Sequence, residues 1–364
     1  MKKFLKLATL FLVLSVLALT ACSSDPEPEV YEPEVVEAET TPTPSPEPED
    51  TPDDVEDEDY EEETPAESSN IHGAIHRVEY GNNVAYLFGT LHGGHPHWFP
   101  LAEVVEDALR RSDVLVIEID DLAGDIADME SAVLDIMFLP DGATWADILP
   151  DDAYEHLVEM MVAWEIPYED VNNFNPSFLV FSLEMEIAQA LAYLEVSLEA
   201  SVDAYVSTIA EELGLSIIGL ESIEQQLDIL YNPPFEVMLA QVMNLLPPME
   251  LVEWFMESEE LSLDELARLY ENNDLAALTH AFSLEMGADA DCLYAIYVRD
   301  IVMNWRSTYY ANEIIRLLQQ TEEPTTFFVA VGLSHIIRAG AGDEFTDIVE
   351  QLGLQGFVAV PVWE

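Results

Sequence analysis

The chain has 364 residues, 49% of them hydrophobic, and a formal net charge of −62 from 73 acidic residues against 11 lysines and arginines. Such a surface repels nucleic acid and anionic lipid, which argues against a nucleic-acid partner, and the apolar share is enough for a sizeable core. Solubility, or a salty or acidic niche, accounts for the acidity without any electrostatic role.

Met1 to Cys22 reads as a bacterial secretory signal. Lys2, Lys3 and Lys6 form its positive start, Leu7 to Leu19 its apolar stretch, and Leu19-Thr20-Ala21-Cys22 a lipobox in which Cys22 is lipidated. The expected address is therefore the extracytoplasmic face of the cell membrane, with the chain held as a lipoprotein. An ordinary signal peptide with an incidental cysteine is the bland reading. A spanning helix fits worse, since the apolar run is short for a hydrocarbon core of about 30 Å. Residues 23–69 are dominated by proline and acids, cannot bury enough surface to fold, and read as an extended tether. Residues 70–364 are the folded part. With Cys22 lipidated only Cys292 remains, so no intramolecular disulfide can form, and a lone helical cysteine reads as a core residue.

Within the folded part, His72 to Tyr80 and Val84 to Phe88 flank Gly81-Asn82-Asn83 and predict a β-hairpin. Pro100 to Ser112 has a helical face, and Val114 to Ile119 is a buried strand ending in Glu118-Ile119-Asp120. Helices are expected at Ile126 to Phe138, Asp151 to Trp164, Pro176 to Glu199 and Val202 to Leu213, the last with Ser201 and Asp203 at its cap. A third strand, Leu215 to Leu220, ends at Glu221. A second helical block runs from Ser222 to Gln320, broken at Pro233-Pro234, Pro247-Pro248 and near Asn272-Asn273. Its final member, Asp289 to Gln320, carries Arg299 and Arg306. Thr325 to Val331 is a fourth strand, followed by a helix from Asp343 to Leu352 and a short strand at Gly356 to Val360. These elements predict a mixed α/β (α+β) domain with a central mixed β-sheet and two large helical blocks packed on it.

The chemistry collects at strand ends. Val84 to Phe88 runs into Gly89-Thr90-Leu91-His92, and Phe327 to Val331 runs into Gly332-Leu333-Ser334-His335. In each unit the glycine lets the backbone leave the sheet sharply, and three residues on the imidazole can turn back over the strand end. Two other strands end in carboxylates, at Glu118 with Asp120 and at Glu221. Residues beyond strand carboxyl ends converge on one crevice in such sheets, and two imidazoles with two or three carboxylates have the composition of a metal site. The bland alternative for a single Gly-x-x-His is a hydrogen-bonded structural histidine. His95 and His97 lie in Gly93-Gly94-His95-Pro96-His97, which reads as an exposed loop. They are extra ligands, substrate contacts or solvated residues, with the last two preferred.

These residues resemble the TraB/PrgY/GumN family, to which the Tiki metalloproteases are related. The resemblance rests on YLFGTLH at Tyr86 to His92, PLAEVVEDALRRSDVLVIEID at Pro100 to Asp120, and SVDAYVSTIAEELGLSIIGLES at Ser201 to Ser222 followed by Glu224-Gln225. It continues in Arg-x-x-x-Met at Arg299 to Met303 and FFVAVGLSH at Phe327 to His335. It covers nearly all of residues 70–362. What the resemblance implies is metal-dependent hydrolysis of a peptide bond, with a divalent ion (manganese, cobalt or zinc) and a peptide or protein substrate. It further implies His92 and His335 as metal ligands, Glu118 and Glu221 as ligand or general base, and Arg299 as a site arginine. Arg299 has a structural counter-ion role as its alternative. The chain departs from the family pattern at Asp300, where asparagine is usual, and in IIRAGAGDEF after the second histidine. A rival expectation is a surface protein that binds or sequesters a peptide pheromone without cleaving it, as the PrgY branch suggests. A hydrolase of a non-peptide ester or lipid is a third.

Overall fold

A computed structural model describes residues 71–119, 133–192, 200–257, 263–287, 293–337 and 345–362. The expected signal, the Cys22 lipidation site, the tether, Asp120 and Cys292 lie outside those residues.

Gly81, at φ +60, closes a two-residue turn that sets β1 (Ile75–Tyr80) antiparallel to β2 (Asn83–Thr90), with Tyr80 opposite Asn83. The hairpin predicted from Gly81 and its neighbours is thus present, with Asn83 inside the second strand. Helix α1 (Glu103–Arg110) follows. Glu103 and Glu106 sit in its first turn, where they complement the helix dipole, and Val105, Ala108 and Leu109 form its buried face. The chain re-enters the sheet as β3 (Val114–Ile119), returns again as β4 (Ser216–Glu221) and β5 (Thr326–Gly332), and adds the two-residue edge strand β6 (Val360–Pro361).

The sheet order is β4-β3-β5-β2-β1-β6. The four strands from β4 to β2 run parallel and β1 runs antiparallel to both β2 and β6, so the sheet is mixed. Parallel strands covered on both faces need unbroken apolar runs. That is why Leu115-Val116-Ile117 and Phe327 to Val331 are buried without alternation. Pro361 sits on the edge strand, where a missing N–H does no harm.

Between β3 and β4 lie α2 (Asp151–Ala163), α3 (Pro176–Ala192) and α4 (Val202–Leu213). Between β4 and β5 come α5 (Ile223–Tyr231), α6 (Phe235–Asn244), α7 (Pro248–Glu257), α8 (Leu263–Glu271), α9 (Leu275–Gly287) and α10 (Leu293–Tyr297). A π-helical segment, Val298–Trp305, then leads into α11 (Arg306–Gln320), and α12 (Ile348–Leu354) follows β5. From Leu293 on, the single long helix expected over Asp289 to Gln320 is therefore α, then π, then α.

Two cores divide these elements. The first is the sheet with α1, α4, α8, α9, α11 and α12, filled by Phe88, Leu115, Phe328 and Ile314. The second belongs to the helical blocks alone: Trp145, Leu157, Met161, Phe174 and Leu179 from before β4 pack with Leu227, Met238 and Val242 from after it. Much of the two blocks thus packs on itself. Each fully buried large apolar side chain contributes about 1.5–3 kcal/mol, which makes the helical core a stabilising unit of its own. Among the described residues no helix is long and apolar enough to cross a membrane.

Candidate functional site

Thr90 and Gly332 are register partners on the adjacent parallel strands β2 and β5. His92 and His335 therefore leave the same edge of the sheet side by side. Glu118 ends β3, the next strand beyond β5, and Glu221 lies opposite Ile119 at the end of β4. Along the carboxyl edge the order is Glu221, Glu118, His335, His92, although in the chain it is His92, Glu118, Glu221, His335. The two glycines act as the motif requires. A Cβ on Gly89 would lie 2.6 Å from Leu333, and one on Gly332 would meet Glu118 Oε1 at 3.2 Å.

The carboxylates are organised by an arginine. Arg306, the first residue of α11 and only 5% exposed, donates from Nη2 to Glu118 Oε2 at 2.8 Å and to Glu221 Oε1 at 2.6 Å. Its Nε reaches Glu221 Oε2 at 3.4 Å. One turn along, Tyr310 donates its hydroxyl to Glu221 Oε1 at 2.7 Å, and its ring lies 5.2 Å from the guanidinium carbon. Gln226 on α5 adds a bond to Glu221 Oε1 at 3.2 Å, and the Gly332 N–H donates to Glu118 Oε1 at 2.7 Å. Burial pushes the Glu118 carboxyl up. Arg306, His335, the Gly332 N–H and His92 together outweigh it and hold the group at about 2. Burial likewise opposes the Arg306 charge, but Glu118, Tyr310 and Glu221 leave its pKa raised.

The imidazoles differ sharply. His92 Nδ1 bonds Asp203 Oδ2 at 3.0 Å, and the Asp203 Oδ1 accepts from the Thr90 hydroxyl. Asp203, first by its charge and then by the hydrogen bond, raises the His92 pKa to about 9. The side chain is 79% open to solvent, so water screens part of the pairing and little of it reaches stability. His335 is 3% exposed, its Nδ1 bonds the Ser307 hydroxyl at 2.9 Å, and its ring meets Tyr310 edge-on at 5.2 Å. Burial lowers its pKa to about 4, against the pull of Glu118. At neutral pH one imidazole is cationic and its neighbour neutral.

Four of the residues picked out in the sequence thus share one strand-end site: His92, Glu118, Glu221 and His335. Arg299 is not among them. It lies on the π segment and pairs with the adjacent Asp300 at 2.7 Å, while Arg306 meets both glutamates. His95 and His97 stack at 5.2 Å, and His97 Nε2 lies 3.2 Å from Glu271, so both belong to a different contact. Asp203, Arg306, Ser307, Tyr310 and Gln226 are the members the motifs did not single out. Asp203 carried a signal, its place in SVDAYV beside the capping Ser201, whose hydroxyl accepts from Ala204 N and suffices as the cap.

A divalent ion of the kind implied by the family needs several converging donors. Among the described residues no three His, Cys, Asp or Glu side chains are so arranged. Glu118 and Glu221 are instead bridged by the Arg306 guanidinium. The donor types suit a metal, but their arrangement does not fit one.

A family model described as the TraB/PrgY/gumN family matches residues 74–343. No curated protein and no solved structure matches the chain. The strand-end Gly-x-x-His pair and the mixed sheet that carries it are thus features of a protein that belongs to the TraB/PrgY/gumN family.

Proposed function

We propose that this chain is a lipid-anchored, extracytoplasmic hydrolase that acts on peptide bonds through its imidazole pair. The observation that carries the reading is the placement of His92 and His335 at the ends of adjacent strands, one ring against a carboxylate and the other buried against a hydroxyl, which raises the first pKa and lowers the second. A neutral imidazole accepts a proton and a cationic one donates it, which is the requirement for general base and general acid across one scissile bond. His335 takes the proton of an attacking water as the new C–O bond forms. His92 gives its proton to the leaving nitrogen as the C–N bond breaks, and the two imidazoles return to their starting states by exchange with solvent. Asp203 holds the His92 ring in place and stabilises its charge, as a buried carboxylate does in an acid–base dyad. Glu118 and Glu221 act by charge, through Arg306. The peptide class rests on the resemblance to the Tiki branch, and the anchor on the lipobox at Cys22.

The test is a peptide-cleavage screen of wild type, His92→Ala and His335→Ala, run with chelator and with added manganese, cobalt or zinc. Loss of about 10²-fold or more in either variant is expected for removal of an acid–base group. Turnover unchanged in both variants would end the hydrolase reading. Membrane association lost in Cys22→Ser supports the anchor; association retained counts against it.

A second reading, capture of a peptide without cleavage, is favoured by one observation: every oxygen of Glu118 and Glu221 already has a donor. Peptide binding that survives in both histidine variants, without cleavage in wild type, would select it.

A further inference from the structure

We propose that Arg306 is the resident cation of this centre, so that wild type runs without a divalent ion and a metal site opens only when Arg306 is removed. The inference extends the hydrolase reading by making that reaction metal-free, yet metal binding is measurable whether or not a peptide is cleaved.

Three observations carry it. All four carboxylate oxygens of Glu118 and Glu221 are taken, three by the guanidinium and the fourth by the Gly332 N–H. A metal approaching these oxygens would meet the positive guanidinium already held against three of them. The guanidinium cannot yield by losing its proton, since arginine stays charged in proteins. Nor can it swing away freely: it is 5% exposed, lies over the Tyr310 ring, and would become an unpaired buried charge.

Without Arg306 the charge arithmetic reverses. Glu118 and Glu221 become two uncompensated carboxylates at adjacent strand ends, and a virtual Cβ on Gly332 lies 3.2 Å from Glu118 Oε1 and 3.9 Å from His335 Cδ2. Two carboxylates beside an imidazole suit a borderline divalent ion such as zinc or manganese.

The experiment is equilibrium dialysis of the full chain against zinc chloride and, separately, manganese chloride, with bound metal measured by mass spectrometry. Site-bound metal is defined as the amount lost on His335→Ala, which subtracts loose binding by the acidic tether. Wild type and its His335→Ala variant are expected to retain equal metal. Arg306→Met is expected to gain a stoichiometric, His335-dependent equivalent, bound about tenfold or more tighter than anything in wild type, and to melt at a higher temperature when that metal is present. A His335-dependent equivalent in wild type overturns the proposal. So does a folded Arg306→Met chain that binds no more than wild type. If Arg306→Met does not fold, the wild-type comparison alone still decides the metal-free claim.

Discussion

Gly89 to His92 and Gly332 to His335 are the same four-residue device at the ends of neighbouring strands, yet they hold their imidazoles in opposite states. His92 stands in solvent with a carboxylate at its Nδ1 and is raised to about 9; His335 is buried with a serine hydroxyl at its Nδ1 and is lowered to about 4. The motif supplies position. The charge comes from what lies behind each ring: Asp203 from α4 in one case, Ser307 and burial against Tyr310 from α11 in the other. Two copies of one motif therefore hold one imidazole with a raised pKa and one with a lowered pKa.

The strongest way to break the contrast is to remove the cation behind it. Arg306→Met leaves Glu118 and Glu221 without their counter-charge in a buried place, and should cost about 3–5 kcal/mol in chemical denaturation. Arg299→Met removes a partly exposed pair with Asp300 and should cost about 1 kcal/mol or less. Similar losses from both would mean that Arg306 has no special place.

That pair of arginines also shows where sequence reading stops. Strand ends were legible, because buried apolar runs stop at glycine or glutamate, and His92, Glu118, Glu221 and His335 follow directly from those stops. Arg299 and Arg306 are seven residues apart, close to two α-helical turns, so an α-helical reading puts both on one face. The π segment between them has wider turns and breaks that equivalence. Asp203 was hidden for another reason. An acid in a helix's first turn already has an explanation in the dipole, and only the fold reveals that Thr90 and His92 reach it. The separate helical core was equally invisible, since periodicity gives each helix an apolar face without naming the face it meets.

The two supporting hydroxyls sharpen the comparison at a smaller scale. Ser307→Ala strips the buried His335 of its Nδ1 partner among the described residues and should cost about 1–3 kcal/mol, the penalty for a buried polar atom left unpaired. Thr90→Val removes a bond to Asp203, which keeps His92, and should cost about 0.5–1.5 kcal/mol by the same denaturation measurement.

Asp203→Asn should move one imidazole and leave the other. The hydrolase reading predicts a plateau of activity bounded by His335 near pH 4 and by His92 near pH 9. In the variant the alkaline limb should fall toward the ordinary histidine value of 6.5 while the acid limb stays. A shift of both limbs together would mean that the two rings titrate as one unit.

Stability should follow pH asymmetrically. Glu118 drops from 4.5 to about 2 on folding, so its contribution is full above 4.5 and drains as pH falls toward 2. His335 drops from 6.5 to about 4, so the unfolded chain takes up the proton first and stability also falls between those values. His92 has the opposite sign: its contribution is present below 6.5 and is lost as pH rises through about 9, and exposure keeps it small. Thermal melts should therefore decline more steeply on the acid side for these three groups, and His335→Gln should flatten the stretch between pH 6.5 and 4.

The most direct test is a nuclear magnetic resonance titration of the imidazoles in chain labelled with nitrogen-15 at histidine, the two resonances assigned with His92→Gln and His335→Gln. The His335 ring should stay neutral down to about pH 4 and the His92 ring should stay charged up to about pH 9. Two rings that both titrate near 6.5 would contradict this.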